Sequence, residues 1–462
     1  MSSAAKARDR ELAYLSAVEL GQAYRSKGLS PVEVTQAALR RIEATQSTIN
    51  AFVLFDPESA LLAARAAELR FQRQAPLSPL DGVPLSLKDL LLTRGWPTRR
   101  GSRTVPAEGA WLEDSPAAAR LREAGAVLLG KTTTSEFGLR GMGDSPLTGI
   151  TRNPYNLEHT PGGSSAGAAA AVAAGLGTLA VGTDGGGSIR VPAAYSGVVG
   201  LKPTFGRVPS HPASVIGAPP HVGPIARSVG DARLLLEVLS QPDDRDPYRV
   251  PTSASSFVEP GLPFAQRRVG YLAGIEQGCG REARDAFEAV LSRCRELGCS
   301  PVPVELSFEG AADVLTTLFQ ARAAHTLATL PAELRSLVDP TIRGAAEAGE
   351  QLSLLQYLAV EAERTALALR VAHVFRTVDV LLTPTTAESA PTVDASPSPR
   401  RAPFTGLFSL TRHPAISIPS GTTRAGLPIG LQIVGRHFEE GLVLSVAAAL
   451  ESTRAFAAPP EL

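Results

Sequence analysis

The chain is poor in the features that would each point to a function directly. It has only three cysteines, Cys279, Cys294 and Cys299, in 462 residues. The count is odd and no C-x-x-C spacing occurs, so neither a disulfide framework nor a zinc site follows. Free thiols in a reducing compartment are expected. Net charge is absent, because Lys+Arg and Asp+Glu are each 45. The one-signed field of a nucleic-acid binder is therefore missing, and no nucleic-acid partner is expected. No uninterrupted apolar run approaches the ~20 residues that cross a bilayer. The opening MSSAAKARDRELAYLS has no apolar signal-peptide core. These absences suggest a cytoplasmic protein without membrane contact. Aromatic residues make up 5% of the chain, so few rings are at hand to line a pocket.

What is present is an alternation of helical and strand texture. The stretch from about residue 8 to 75 reads as helical. Ser30-Pro31-Val32-Glu33 supplies an N-cap, a proline at the first helical position and a capping-box glutamate. Val34, Ala38 and Ile42 recur on one face. Ala60–Leu69 is a second helical candidate. From about 76 to 230, short apolar strands alternate with helices. Leu85–Lys88, Ala126–Leu129 and Leu179–Val181 are strand candidates, and Pro116–Glu123 and Ala166–Ala174 are helical ones. The Gly- and Ala-rich run AAAAVAAGLGTLAVG reads as a tightly packed buried helix followed by a strand. From about 265 to 455, helical stretches at 280–298 and 311–377 precede late strands at Val378–Leu382, Ala415–Pro419 and Pro428–Val434. A last helix covers Leu442–Glu451, and residues 384–403 read as a loop. The pattern predicts an α/β fold: one large α/β/α sandwich over 1–462, with a mixed, mostly buried central sheet and helices on both faces.

The densest chemistry lies in PGGSSAGAAAAVAAGLGTLAVGTDGGGSIRVPAAYSGVVGLKPTFGR, residues 161–207. Two Gly-rich turns bracket a helix and a strand. The first, Gly162-Gly163-Ser164-Ser165, opens the helix. The second, Gly185-Gly186-Gly187-Ser188, follows the strand. Consecutive glycines let successive N–H groups point the same way, forming a nest for an oxyanion. A serine at its end is placed to attack a bound carbonyl. Asp184 and Arg190 flank the nest and can pair to hold it. A serine nucleophile needs a base, usually histidine. None of the seven histidines stands in a recognisable nucleophile context. Lys88 is the credible alternative, because an apolar strand would withdraw it from water and lower its proton affinity.

Taken in order, GVPLSLKD, GGSSAG, GTDGGGSIRVPA with GVVGLKPTFGR, DVLLTPTT and GLPIGLQIVGR resemble the successive blocks of the amidase signature family. The likeness runs from roughly residue 8 to 452. It implies a single amidase-type domain in which Ser188 is the nucleophile, Ser164 the bridging serine behind a cis peptide bond, and Lys88 the base. The N–H groups of Gly185, Gly186, Gly187 and Ser188 would form the oxyanion hole, with Ser165 a supporting hydrogen-bonder. No metal or cofactor is implied. The first turn departs from the family's frequent GGSSGGS: Ala166 and Ala168 stand where glycine and a small polar residue are common, in a helical turn that tolerates alanine.

Two other patterns are look-alikes. Gly125–Thr132 fits G-x(4)-G-K-T, but its middle is an apolar strand rather than a phosphate-cradling loop. Lys131 is expected to be solvated or hydrogen-bonded at a strand end. Gly163–Gly167 fits G-x-S-x-G around Ser165, but no strand precedes it, as a nucleophile elbow requires.

The expected activity is stand-alone hydrolysis of small organic amides, with aryl amides, carbamates (urethanes) and esters open. The alternatives are the amidase subunit of a tRNA-dependent amidotransferase, a Ser-His-Asp hydrolase, and a non-catalytic binding protein. The substrate pocket is expected to draw on 136–148, 208–222 and 311–330, with Phe137, Met142, Gly143, Phe319 and Phe404 as candidates. Gly141 and Gly143 suggest mobility there. A monomer or homodimer is expected.

Overall fold

Cap chemistry positions the first helices as the sequence implies. The Ser30 hydroxyl accepts from the Val32 N–H at 3.0 Å, and Glu33 accepts from the Ser30 N–H at 2.9 Å. The helix they open is Pro31–Ile49, followed by Pro57–Gln72. The computed structural model describes residues 3–212, 221–251, 257, 262–275, 278–396, 403–452 and 457–460.

Between those two helices lies an element that the helical reading of 8–75 missed. Phe52–Phe55 is strand β1. The segment is FVLF, four apolar residues of strand-favouring type, too short for periodicity to reveal. The remaining strands, in chain order, are β2 Pro84–Lys88, β3 Val127–Thr132, β4 Asp144–Ser145, β5 Gly149–Ile150, β6 Leu179–Asp184, β7 Val199–Lys202, β8 His221–Ala226, β9 Val269–Leu272, β10 Val302–Val304, β11 Val380–Pro384, β12 Ala415–Thr422 and β13 Pro428–Val434.

Among the described residues, eleven strands form one sheet in the order β1-β3-β2-β6-β8-β7-β12-β13-β11-β9-β10, and β4 and β5 make a separate hairpin. The sheet is mixed. β2 runs parallel to β3 and β6, β9 runs parallel to β10 and β11, and the intervening pairs are antiparallel. Every residue of β2, β3, β6, β7, β8, β11 and β13 is buried. Successive side chains of a strand point to opposite faces, so unbroken burial means that both faces are covered. The α/β sandwich expected from sequence is the fold observed.

The stretch 311–377 is helical but broken into Ala311–Ala328, Pro340–Glu350 and Leu354–Val374. Pro331 follows the first, since proline cannot continue a helix, Pro340 opens the second at its first helical position behind the Asp339 cap, and Ser353 caps the third. β11 begins two residues later than the expected Val378. Asp379 stays outside the strand, where it accepts from the Arg268 N–H at 2.9 Å and from its guanidinium at 2.6 Å. The loop expected at 384–403 follows β11, although residues 397–402 lie outside the described ones. The three cysteines form no disulfide among the described residues, and Cys294 and Cys299 are buried. No helix among the described residues is long and apolar enough to cross a membrane.

The helix Ala166–Ala173 is buried all round, as its Gly- and Ala-rich sequence suggested. Small side chains let it press against neighbouring backbone. A β-carbon at Gly167 would overlap the Ala51 carbonyl and Thr133. On an open helix Gly→Ala stabilises by about 1 kcal/mol. Here Gly167→Ala is expected to destabilise by about 1–3 kcal/mol, read as a lowered midpoint in urea unfolding. An unchanged or raised midpoint would contradict the close packing.

Candidate active site

β2 and β6 run parallel with Leu85 beside Leu179 and Leu87 beside Val181. Their C-terminal ends, Lys88 and Asp184, therefore open on the same edge of the sheet, where α/β folds tend to bind ligands. The GGSS turn at the start of the Ala166–Ala173 helix reaches the same edge. Three segments far apart in sequence thus converge.

Lys88 is fully buried. Its Nζ lies 2.7 Å from Ser164 Oγ, 2.9 Å from Ser165 Oγ, 3.0 Å from Thr183 Oγ1 and 3.4 Å from the Thr183 carbonyl. No carboxylate is among these partners. Burial pushes the amine well below the usual lysine range. The negative charge of Asp184 opposes that shift, and the positive charge of Arg322 adds to it. A neutral amine can donate to Ser165 or Thr183 and still offer its lone pair to the Ser164 hydroxyl. Ser165 is held in turn, its hydroxyl donating to the Thr183 carbonyl at 3.2 Å and its N–H to the Ser188 carbonyl at 3.1 Å. The Gly163–Ser164 peptide is cis. Ser188 is half-buried, and its hydroxyl makes no hydrogen bond within the described residues.

The second turn is shaped by a fully buried ion pair. The Asp184 carboxylate accepts from the Arg190 guanidinium at 2.9 and 3.0 Å, from the Gly187 N–H at 2.7 Å and from the Ile189 N–H at 3.1 Å. Burial alone would raise this acid, but the charge and hydrogen bonds of Arg190, with Lys202 beyond, hold it well below the usual carboxylate range. Gly187 has φ +130°, and a β-carbon there would strike Thr405. Thr405 Oγ1 donates to the Gly186 carbonyl at 2.8 Å. The Gly187 N–H, expected in the oxyanion hole, is thus engaged by Asp184 and shapes the loop. The N–H groups of Gly185, Gly186 and Ser188 have no acceptor among the described residues.

Arg190 extends the network into the late strands. It donates to Gln432 Oε1 at 2.6 Å and Ser409 Oγ at 2.7 Å. Gln432 donates to Thr383 Oγ1 at 2.9 Å and the Phe404 carbonyl at 3.0 Å. Sequence reasoning missed Thr183, Thr405, Ser409, Gln432 and Arg322. A signal existed for Gln432, the one long polar side chain in the apolar strand PIGLQIV. None existed for the others.

The pocket candidates divide by location. Phe319 and Leu315 lie 3.5 and 3.6 Å from where a β-carbon would sit on Gly186, walling the nest. Phe137 is buried with Ala323, Leu327 and Ile342. The Met142 main chain packs on Gly163, and Gly143 lies against Pro161 and Thr160, so both buttress the GGSS turn. Phe404 is buried edge-on to Phe308, with ring centroids 6.2 Å apart. Of the 208–222 stretch, residues 213–220 lie outside the described ones. His221 sits behind the nest, its Nδ1 2.9 Å from the Asp184 carbonyl.

Neither look-alike keeps its context. Gly125–Thr132 ends in the buried strand β3. Lys131 is not solvated: its ammonium bonds Thr98 Oγ1 at 2.7 Å and pairs with Asp89 at 3.3 Å. The Ser165 hydroxyl contacts Lys88 and Thr183, and no histidine among the described residues touches it.

The family model for amidases matches residues 33–444. The chain belongs to the amidase family. It is 34% identical to a glutamyl-tRNA(Gln) amidotransferase subunit of Geobacter metallireducens, over 96% of this chain and 98% of that protein. It is also 34% identical to an acylamidase of Rhodococcus erythropolis, over 97% of each. A bacterial aryl acylamidase of the amidase signature family superposes with a TM-score of 0.87 at 30% identity, over 95% of this chain and 96% of that one. Membership of this family makes the protein a hydrolase acting on carbon–nitrogen bonds.

Arg190→Met would leave Asp184 charged and uncompensated in the interior. A loss of about 3–5 kcal/mol is expected, measured by urea unfolding. A loss below ~1 kcal/mol would mean that the pair contributes no more than a surface one.

Proposed function

We propose that the protein is a stand-alone amidase that hydrolyses the C–N bond of small organic amides through an acyl-enzyme on Ser188. The observation that carries this reading is the buried, uncompensated Lys88 amine bonded to Ser164 at 2.7 Å, beside a nest with unclaimed N–H groups. In the proposed cycle, neutral Lys88 accepts the Ser164 proton as Ser164 accepts that of Ser188. The Ser188 oxygen bonds to the substrate carbonyl carbon, and the new oxyanion rests on the N–H groups of Gly185, Gly186 and Ser188. The proton returns through Ser164 to the leaving nitrogen as the C–N bond breaks. Water, deprotonated by the same route, then cleaves the ester and restores Ser188. The oxyanion site recognises any acyl carbonyl, so carbamates and esters fall within its chemistry. Three cysteines without a disulfide among the described residues suit a reducing cytoplasm.

Three measurements test this. Ser188→Ala is expected to lower amide turnover by at least about a thousandfold and to abolish labelling by a fluorophosphonate. Full activity in that variant would end the assignment. Lys88→Ala should cost anilide hydrolysis about 100-fold or more and the matching ester distinctly less, because the amine leaving group needs the returned proton. Equal losses would remove the proposed relay. Lys88 must be neutral to act and its affinity for protons is lowered, so kcat/KM should hold through neutral pH. It should then fall on acidification, by on the order of tenfold per pH unit below the lysine's folded pKa. A rate that rises on acidification would contradict this.

A second reading rests on the amidotransferase subunits that match nearly the whole chain. In that case the purified chain would leave simple amides intact and release ammonia from glutamine only with partner subunits. Assaying the chain alone separates the two.

A further inference from the structure

The helix Ala311–Ala328 presents one face to the nest. Leu315, Phe319 and Arg322 share it at i, i+4 and i+7. Leu315 and Phe319 wall Gly186, and Arg322 Nη1 lies 4.0 Å from where a β-carbon would sit on Gly185. All three side chains are half-buried, as expected of residues lining a cleft. The core-facing positions of the same helix, Val314 and Leu318, are fully packed away.

Arg322 differs from the other withdrawn arginines. Arg190 has Asp184, Arg207 has Glu440 at 3.1 Å, and the Arg227 guanidinium donates to the carbonyls of Val172, Gly177 and Leu15. The Arg322 guanidinium makes no hydrogen bond or ion pair among the described residues. Its neighbours supply no counter-charge: Lys88 is a buried amine whose affinity for a proton is lowered, and Arg100 adds a like charge, its main chain pinned between the Asp89 carbonyl at 3.1 Å and the Phe137 N–H at 2.8 Å. The Arg100 side chain is exposed and also lacks an ion pair among the described residues. The nearby carboxylate, Asp184, is consumed by Arg190. Burial, helped by Arg100, pushes Arg322 down to about 10, so it remains a cation at neutral pH. A desolvated cation without a counter-ion is costly, and a guanidinium at the mouth of a reactive cleft has the fork geometry to take a carboxylate through paired N–H···O bonds.

We propose that Arg322 is a substrate-binding residue that takes a carboxylate carried by the amide substrate, with Arg100 adding to the positive field at the cleft mouth. The proposal rests on the Ser188 amidase reading. Phe319 and Leu315 would cover the short carbon chain between that carboxylate and the carbonyl held over the nest. Neutral amides lack this anchor and bind through the apolar wall alone.

The test compares matched substrates. The mono-4-nitroanilide of succinic acid is paired with pentanoyl 4-nitroanilide, placing the charge on the acyl side. 4-Acetamidobenzoate is paired with 4-acetamidotoluene, placing it on the leaving group. The wild type is expected to favour the carboxylate member of at least one pair by about tenfold or more in kcat/KM, chiefly through KM. In Arg322→Gln that ratio should fall to near one, and Arg322→Lys should retain part of it. No preference in either pair, or an Arg322→Gln variant that slows both members alike, overturns the proposal. A binding arm keeps the two readings distinguishable. In a Ser188→Ala background, calorimetric affinity for the preferred carboxylate (or the tighter-bound of the two if neither is hydrolysed) should weaken by about tenfold when Arg322→Gln is added. If the wild type hydrolyses none of the four compounds but this difference persists, the Ser188 reading fails and the Arg322 site stands. Equal affinities, or no binding of either carboxylate, remove the site.

Discussion

The buried pair between Asp184 and Arg190 is the constraint on which the reactive edge of the sheet depends. One carboxylate ties down the Gly187 N–H, the Ile189 N–H and a guanidinium at once, so the loop carrying Ser188 cannot unroll without exposing a bare charge to the interior. Asp184 takes the Gly187 N–H, while those of Gly185, Gly186 and Ser188 have no acceptor among the described residues. As the proposed oxyanion site, these donors would be oriented before any ligand arrives, and orientation in advance is what makes such donors effective.

Two buried charges close together are treated in opposite ways. Asp184 is surrounded by donors and kept ionised. Lys88, at the end of the adjacent parallel strand, is given hydroxyls and a carbonyl and no acid, and burial lowers its affinity for a proton. Lys131, on the neighbouring strand and equally buried, is given Asp89. Among the described residues three lysines are fully withdrawn from water, Lys88, Lys131 and Lys202; Lys131 alone has a carboxylate in direct contact, and burial lowers the other two well below the usual lysine range. The role proposed for Lys88 would be a consequence of an omission in its surroundings.

Much of this was readable in the chain. The Ser30 capping box, the Pro116–Glu123 helix and the Gly- and Ala-rich helix at 166–173 follow from local chemistry that the tertiary structure does not override. Both Gly-rich turns and the Lys88 strand were visible because each carries its own signature. β1 was not, since four apolar residues between helices carry too little pattern. The contacts of Arg190 with Ser409 and Gln432 were also hidden. They join positions more than two hundred residues apart, and only the packing of the Pro403–Leu410 helix and of β13 against this part of the fold brings them together. Thr183 escaped notice because its role comes from the direction that its side chain takes beside Lys88. Arg322 lies in a stretch suspected of lining the pocket, yet a helical arginine is ordinarily solvated, and nothing local marks this one as turned inward.

The reach of Arg190 to Gln432 has a consequence for how the protein comes into being. Lys88, Ser164 and Ser188 all leave the ribosome in the first half of synthesis, but the strand that completes the Arg190 network is among the last elements made. Until β13 inserts beside β11 and β12, the guanidinium has lost an acceptor and the sheet has a gap next to it. The frame around the proposed hydrolytic centre is therefore completed only when the chain is nearly finished, so a nascent or truncated copy carries Lys88, Ser164 and Ser188 without the Gln432 contact that braces Arg190.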